Sequence, residues 1–368
     1  MSPRSALRPN HWLQHTFVGP YLSRGLRAPH RECVSANVPG VLRGSTDRSP
    51  ATPTGARPRV LYLGGLGRSG TTVLERVLGQ LPGTCSVGEL VHLWQRGVLD
   101  DETCGCGNPF SRCPFWQEVG DRAFAGWPAS LARRMVELQP RVDRTRHVPA
   151  LALGVHPGTR RTDLMEYVTT FVRLYQAISD ATGGAVLIDS SKHSSLAFCL
   201  WTDHRLDLRI VHVVRDSRGV GYSWTKEVRR PESAEGAALM TRYSPARSAL
   251  LWGGHNACFV LLAALGARSH LLRYEDFVSD PARTSTALAC FADVPVGSGS
   301  LDFIDGRSVR LSPSHTVAGN PMRFRNGDVV LRQDDDWRTR LPRKDRWSIT
   351  ALTAPLLLRY GYLGRRGR

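Results

Sequence analysis

The stretch Gly64-Gly-Leu-Gly-Arg-Ser-Gly-Thr-Thr72 packs four glycines, one cation and three hydroxyls into nine residues. That composition suits an anion. Glycines let backbone N–H groups close around it, and a following helix adds the positive end of its dipole. The groups on offer are the backbone and side chains of Gly67, Arg68, Ser69, Gly70, Thr71 and Thr72. Gly65-x4-Gly70 has the spacing of a nucleoside-triphosphate loop, but Thr71 stands where such a loop carries its lysine. The cation is instead Arg68, whose forked donors match a terminal oxyanion.

Other residues could complete a reaction centre. Arg215 ends the apolar run Leu208–Val214, and Ser223 follows eight positions on. Lys192 follows the run Ala185–Ile188 and sits at the C-terminal end of a strand, where parallel sheets bind their ligands. Glu89 is a candidate general base, and on a helix His92 would share its face, so the two remain rivals. Cys104, Cys106 and Cys113 bring three sulfurs into ten residues, which suggests a metal or a disulfide. Structural zinc usually needs four ligands with C-x2–4-C spacing, and nothing in the sequence requires His92 or Cys85 to join. The expectation is reduced thiols and no metal.

These residues need a scaffold that carries them to one edge. Short β-rich runs at 60–63, 185–188, 208–214 and 270–272 alternate with helix-competent segments at 71–81, 89–97, 163–182, 218–228, 245–265 and 345–360. Strands separated by helices predict a parallel sheet with right-handed crossovers, an α/β three-layer domain. Residues 59–362 form that domain. Residues 1–58, rich in Pro, Gly and Ser, read as a disordered Arg/Pro-rich tail or the product of a mis-assigned start.

Arg68-Ser-Gly-Thr-Thr72 after a strand resembles the 5′-phosphosulfate loop of sulfotransferases that use 3′-phosphoadenosine-5′-phosphosulfate (PAPS), in the Arg-type variant of the tyrosylprotein and carbohydrate members. Val213-Val-Arg-Asp-Ser-Arg-Gly-Val-Gly-Tyr-Ser-Trp224 resembles the family's 3′-phosphate motif. Ile188-Asp-Ser-Ser-Lys-His193, Leu272-Arg-Tyr-Glu-Asp-Phe277 and His315-Thr-Val-Ala-Gly-Asn-Pro-Met-Arg-Phe324 are similar to segments of bacterial members. The resemblance implies a P-loop-like sulfotransferase fold, with PAPS as co-substrate and a hydroxyl of a sugar or small metabolite as acceptor. It also implies that Arg215 and Ser223 hold the 3′-phosphate and that Tyr274 lies beside the adenosine. Asn320 and Arg323 would belong to a loop closing over the nucleotide, although that loop departs from the Arg-Lys-Gly-x-x-Gly form of cytosolic enzymes. Arg68 and Lys192 would act as electrostatic catalysts. Glu89, 21 residues after Arg68, has the spacing of the glutamate base in tyrosylprotein sulfotransferases, whereas cytosolic relatives use a histidine.

Composition limits the alternatives. The chain has 368 residues and a formal charge of +17, which raises the local concentration of anionic ligands. Of its 49 basic residues only Lys192, Lys226 and Lys344 are lysines, a bias typical of high-GC genomes such as those of actinobacteria. No apolar run reaches the roughly 18 residues of a membrane span, and a cytoplasmic location is expected. Two rival readings remain. One is a P-loop nucleotide kinase or NTPase, weakened by the missing lysine. The other is a non-enzymatic basic nucleic-acid-binding protein, which rests on charge alone and for which no motif is present; nucleic acid is therefore not an expected partner.

Overall fold

A computed structural model describes residues 56–156, 158–227 and 241–364. Five strands form the central sheet: β1 Arg59–Gly64, β2 Thr84–Gly88, β3 Val186–Lys192, β4 Asp207–Val214 and β5 Ser269–Arg273. They lie in the order β2-β3-β1-β4-β5, and every neighbouring pair is parallel. Alternation along β1 explains the layers. Val60 and Tyr62 face one core with Leu187, Ile210 and the long helix Thr159–Ala181, whereas Leu61 and Leu63 face another with Ile188, Val211 and the helix Thr71–Leu78. Both faces are therefore covered, as a parallel sheet requires. The fold is the α/β three-layer arrangement expected.

After β1 the chain moves to the β3 side of the sheet, and after β4 it moves to the β5 side. The crevice between β1 and β4 is thus a topological switch point, where ligands of open α/β sheets bind. The loop after β1, the end of β3 and the turn after β4 all converge there.

Some elements differ from expectation. The expected helix at 89–97 is a 3-10 turn, Leu90–His92, running into a π-helical stretch, Leu93–Leu99. The sequence pattern does not predict β2, the helices Pro114–Phe124 and Ala129–Val142, which bury one face each, or the almost wholly buried helix Ser194–Trp201. A small antiparallel sheet also forms from β6 Ile304–Asp305, β7 Ser308–Leu311 and β8 Gly327–Val330. Between β7 and β8, residues 312–326 cross the mouth of the main sheet as a strap. Val317 bridges Gly88 at the end of β2. Residues 1–55 of the expected tail lie outside the described residues.

Candidate active site

The loop after β1 is shaped by backbone conformations that few residues adopt. Gly65 has φ +144°, and a Cβ there would lie 2.4 Å from the Val213 carbonyl oxygen. Gly70, with φ +85°, caps the helix Thr71–Leu78, and its missing Cβ leaves room for the Tyr274 ring. Among the described residues, six non-glycine residues have positive φ, and Arg68 (73°) and Lys192 (68°) are two of them. Strain of this kind persists only where the surroundings impose it, and it clusters at functional sites. The hydroxyls of Ser69 and Thr71 are buried and have no hydrogen-bond partner among the described residues. Buried orphan hydroxyls beside an arginine at a helix N-terminus fit an anion that would accept from them.

This loop lines a cleft of about 550 Å³ together with Glu89, His92, Lys192, Arg215, Ser223 and Asn320. The structure thus gathers most of the sequence candidates into one cavity: Gly67, Arg68, Gly70, Thr71 and Thr72 from the loop, and the rest from four separate segments. Lys192 donates to Glu89 Oε1, and both side chains are largely buried. Asp189, the alternative partner for Lys192, is occupied instead by the Tyr175 hydroxyl at 2.5 Å and the Ser191 N–H at 2.7 Å. Burial pushes the Glu89 pKa up, but the Lys192 ammonium bonded to it, helped by Arg96, outweighs that effect, so the carboxyl lies below its ordinary range. His92 Nε2 is 3.7 Å from Glu89 Oε2. The 3-10 turn keeps the pair adjacent, since residues i and i+3 eclipse in that geometry. Burial holds the His92 pKa well down despite the pull of Glu89, so its ring is neutral. His193 and His255 continue the wall, and burial lowers His255 to about 4.

Arg215, also buried, donates to the Arg68 carbonyl at 3.1 Å and to the Asp334 carbonyl at 3.2 Å. Its neighbour Asp216 pairs with Arg218 at 2.6 Å, so Arg215 is not consumed by a local salt bridge with Asp216. The carboxylate beside it is Asp334, 3.5 Å from Arg215 and 3.0 Å from Lys226. An acidic side chain thus sits against the cations of this corner. Trp224 donates to the Gly67 carbonyl at 3.2 Å, stands 5.3 Å from the Arg68 guanidinium and packs on Tyr243. Sequence reasoning missed Lys226, Asp334 and the Trp224–Tyr243 wall; the lysine was visible as one of only three.

Three candidates stand away from the cleft lining. Ser69 is buried within the loop and is not part of the lining, and Tyr274 packs against Gly70 with the Arg215 guanidinium 5.1 Å over its ring. Arg323 is buried, donating to the carbonyls of Thr316 at 2.8 Å and Thr103 at 2.7 Å. Its guanidinium clamps the strap, and a direct contact with a nucleotide is not what this geometry offers. Asn320 lines the cleft but also caps its own turn, accepting from the Met322 N–H at 3.0 Å. Beneath the loop, Glu75 accepts from the Gly88 N–H and the Ser190 hydroxyl, each at 2.6 Å. Burial pushes its pKa up to about 7 in spite of those bonds.

No family model matches the sequence, and no curated protein does. Among solved structures, the sulfotransferase domain of the Synechococcus PCC 7002 olefin synthase is 19% identical, with a TM-score of 0.45, covering 83% of this chain and 96% of that one. The sulfotransferase domain from the curacin biosynthetic pathway is 16% identical, with a TM-score of 0.47, covering 82% and 98%. Sulfotransferase STF9 from Mycobacterium avium is 15% identical, with a TM-score of 0.42, covering 85% and 79%.

Proposed function

We propose that the chain transfers a sulfuryl group from PAPS to a hydroxyl of a sugar or small metabolite. One observation carries this reading. A loop with Thr71 where a Walker loop has its lysine and with its cation at Arg68 opens onto the same cleft as a paired carboxylate and ammonium, and the buried Thr71 hydroxyl has no hydrogen-bond partner among the described residues.

The residues divide the work as follows. The loop from Gly67 to Thr72 receives the 5′-phosphosulfate, and Arg215 with Ser223 receives the 3′-phosphate. The acceptor oxygen attacks sulfur in line with the bridging oxygen, so one S–O bond forms as the other breaks and the electron pair leaves with the phosphate of PAP. Arg68 and Lys192 stabilise charge on the transferring group and the leaving oxygen, because in such transfers positioning and preorganised charge supply most of the catalysis. Glu89 takes the acceptor's proton. While Lys192 is bonded to it the carboxylate is a weak base. When the ammonium turns toward the leaving oxygen, Glu89 loses that stabilisation and its proton affinity rises.

Calorimetry with PAP and ADP tests the nucleotide assignment. Arg215→Ala should weaken PAP, which carries the 3′-phosphate, by about 2–5 kcal/mol more than ADP, the cost of unpairing a desolvated charge contact. Equal losses for the two nucleotides would remove Arg215 from the site. A wild-type protein preferring ATP over PAP would favour a kinase or NTPase.

A further inference from the structure

We propose that Cys104, Cys106, Cys113 and His315 bind one zinc ion, which pins the strap to the segment that follows β2. The sequence offers only three sulfurs with irregular spacing, but the fold brings in a fourth ligand from about two hundred residues away. The three Sγ atoms and a ring nitrogen of His315 all lie within 4.8 Å of one another. Cys106 and Cys113 Sγ are 3.7 Å apart, and Cys113 Sγ is 3.2 Å from His315 Nδ1. A tetrahedral zinc with Zn–S near 2.3 Å and Zn–N near 2.1 Å needs S–S edges of about 3.8 Å and S–N edges of about 3.5 Å. The two sulfurs are too far apart to be bonded, since a disulfide spans about 2.05 Å. Three thiolates with one imidazole are a recognised structural zinc set, and soft sulfur ligands disfavour magnesium and calcium.

The ligands are held in place by contacts that do not involve a metal. Cys104 opens a tight knuckle in which its N–H donates to the Asn108 carbonyl and Gly107 donates back to Cys104, both at 2.8 Å. Thr103 and Pro109 bridge across its base. On the other side, the Trp116 indole donates to the His315 carbonyl at 2.9 Å, and Phe115 stacks on the imidazole with centroids 4.8 Å apart. Gly105 N–H donates to the Thr316 carbonyl at 2.9 Å, and Arg323 bonds the carbonyls of both Thr103 and Thr316. Cys104 and Cys113 are buried, whereas Cys106 and His315 are half-buried and leave a route from solvent.

The position of the cluster gives it a consequence for the cleft. Two residues past His315, Val317 exchanges backbone hydrogen bonds with Val87 and Glu89 at 3.0 and 2.8 Å. Gly319 then lies against the Glu89 carboxylate, 3.0 Å from where its Cβ would stand. A metal at the knuckle therefore anchors the strap that packs on Glu89.

Metal analysis of the full-length chain, expressed with zinc and purified under reducing conditions, tests the proposal. It should contain one zinc per chain after dialysis. Cobalt substitution should give the thiolate charge-transfer and strong d–d bands of a tetrahedral sulfur site. Cys106→Ser should lose the metal, His315→Cys should keep it, and Cys290→Ser, at an exposed cysteine elsewhere, should be unaffected. If Cys106→Ser fails to fold, chelation of the wild-type chain provides the second readout: protease cleavage within 312–326 should increase and zinc should reverse it. Zinc far below one per chain, iron in its place, a Cys106–Cys113 disulfide in the freshly reduced preparation, or cleavage indifferent to chelation would each overturn the assignment.

Discussion

Glu89 accepts from Lys192 across the cleft, and that contact decides how the two candidate bases can be separated. A histidine base would ordinarily show itself by a loss of activity near its reference pKa of about 6.5. Burial holds His92 below its ordinary range, and Lys192 holds Glu89 below the carboxylate range, so neither residue titrates near that pH. The expected rate profile is flat from about pH 8 to 5, a window that spans the reference histidine value. Substitution must therefore decide. Glu89→Gln should preserve PAP affinity and abolish most transfer, because the amide is nearly isosteric but takes no proton. His92→Gln should be mildly impaired. Steady-state rates with the reverse ranking would move the base to the imidazole.

Glu75 makes a separate residue-scale prediction, about stability. Its folded pKa, pushed up to about 7, lies above its value in an unfolded chain. A raised carboxyl contributes stability that is fully present below the unfolded value, about 4.3, and is lost as pH rises through the folded value. Thermal melting should thus show declining stability between those limits, on the order of 3 kcal/mol from this group at full burial. Glu75→Gln, which stays neutral, should flatten the decline. A Glu75→Gln variant with the same pH dependence as wild type would refute the assignment.

At the scale of elements, Arg68, Lys192 and Arg215 come from the loop after β1, the end of β3 and the turn after β4, and the sequence made these legible because each follows an apolar run at a glycine, lysine or arginine, whereas Glu89 and His92 follow the edge strand β2. The edge strand β2 was not legible. Thr84-Cys-Ser-Val-Gly is short and polar, and it becomes a strand only through its ladder with β3. Helix Ser194–Trp201 was hidden for the opposite reason: every one of its residues except Trp201 is buried, which leaves no polar face to reveal a period. The segment bearing Asp334, just after β8, was also silent, because one aspartate in Asp334-Asp-Asp336 carries no mark of what it will touch. Asp334 competes with any anion that Arg215 and Lys226 might hold. Asp334→Asn should therefore bind PAP several-fold more tightly while leaving ADP, which lacks the 3′-phosphate, nearly unchanged. Weaker PAP binding in that variant would mean that Asp334 positions the cations and does not compete for them.

Across the whole molecule, the sequence made the layered fold visible because β1, β3 and β4 are apolar on both faces, which only a covered parallel sheet explains. It could not reveal contacts between residues far apart in the chain. Arg323 resembles a nucleotide contact in sequence yet is a buried clamp, and His315 meets its cysteines only after the strap crosses the sheet. The arginine excess gave no substrate; a formal charge of +17 raises the local concentration of anions without selecting one. Sulfuryl transfer can be read out by mass spectrometry of the full chain incubated with PAPS and a host metabolite extract. PAP should form together with a matching amount of a hydroxyl compound heavier by one SO3 group, with both lost in Glu89→Gln. PAP formation no faster than without protein, and no sulfated species, would contradict it.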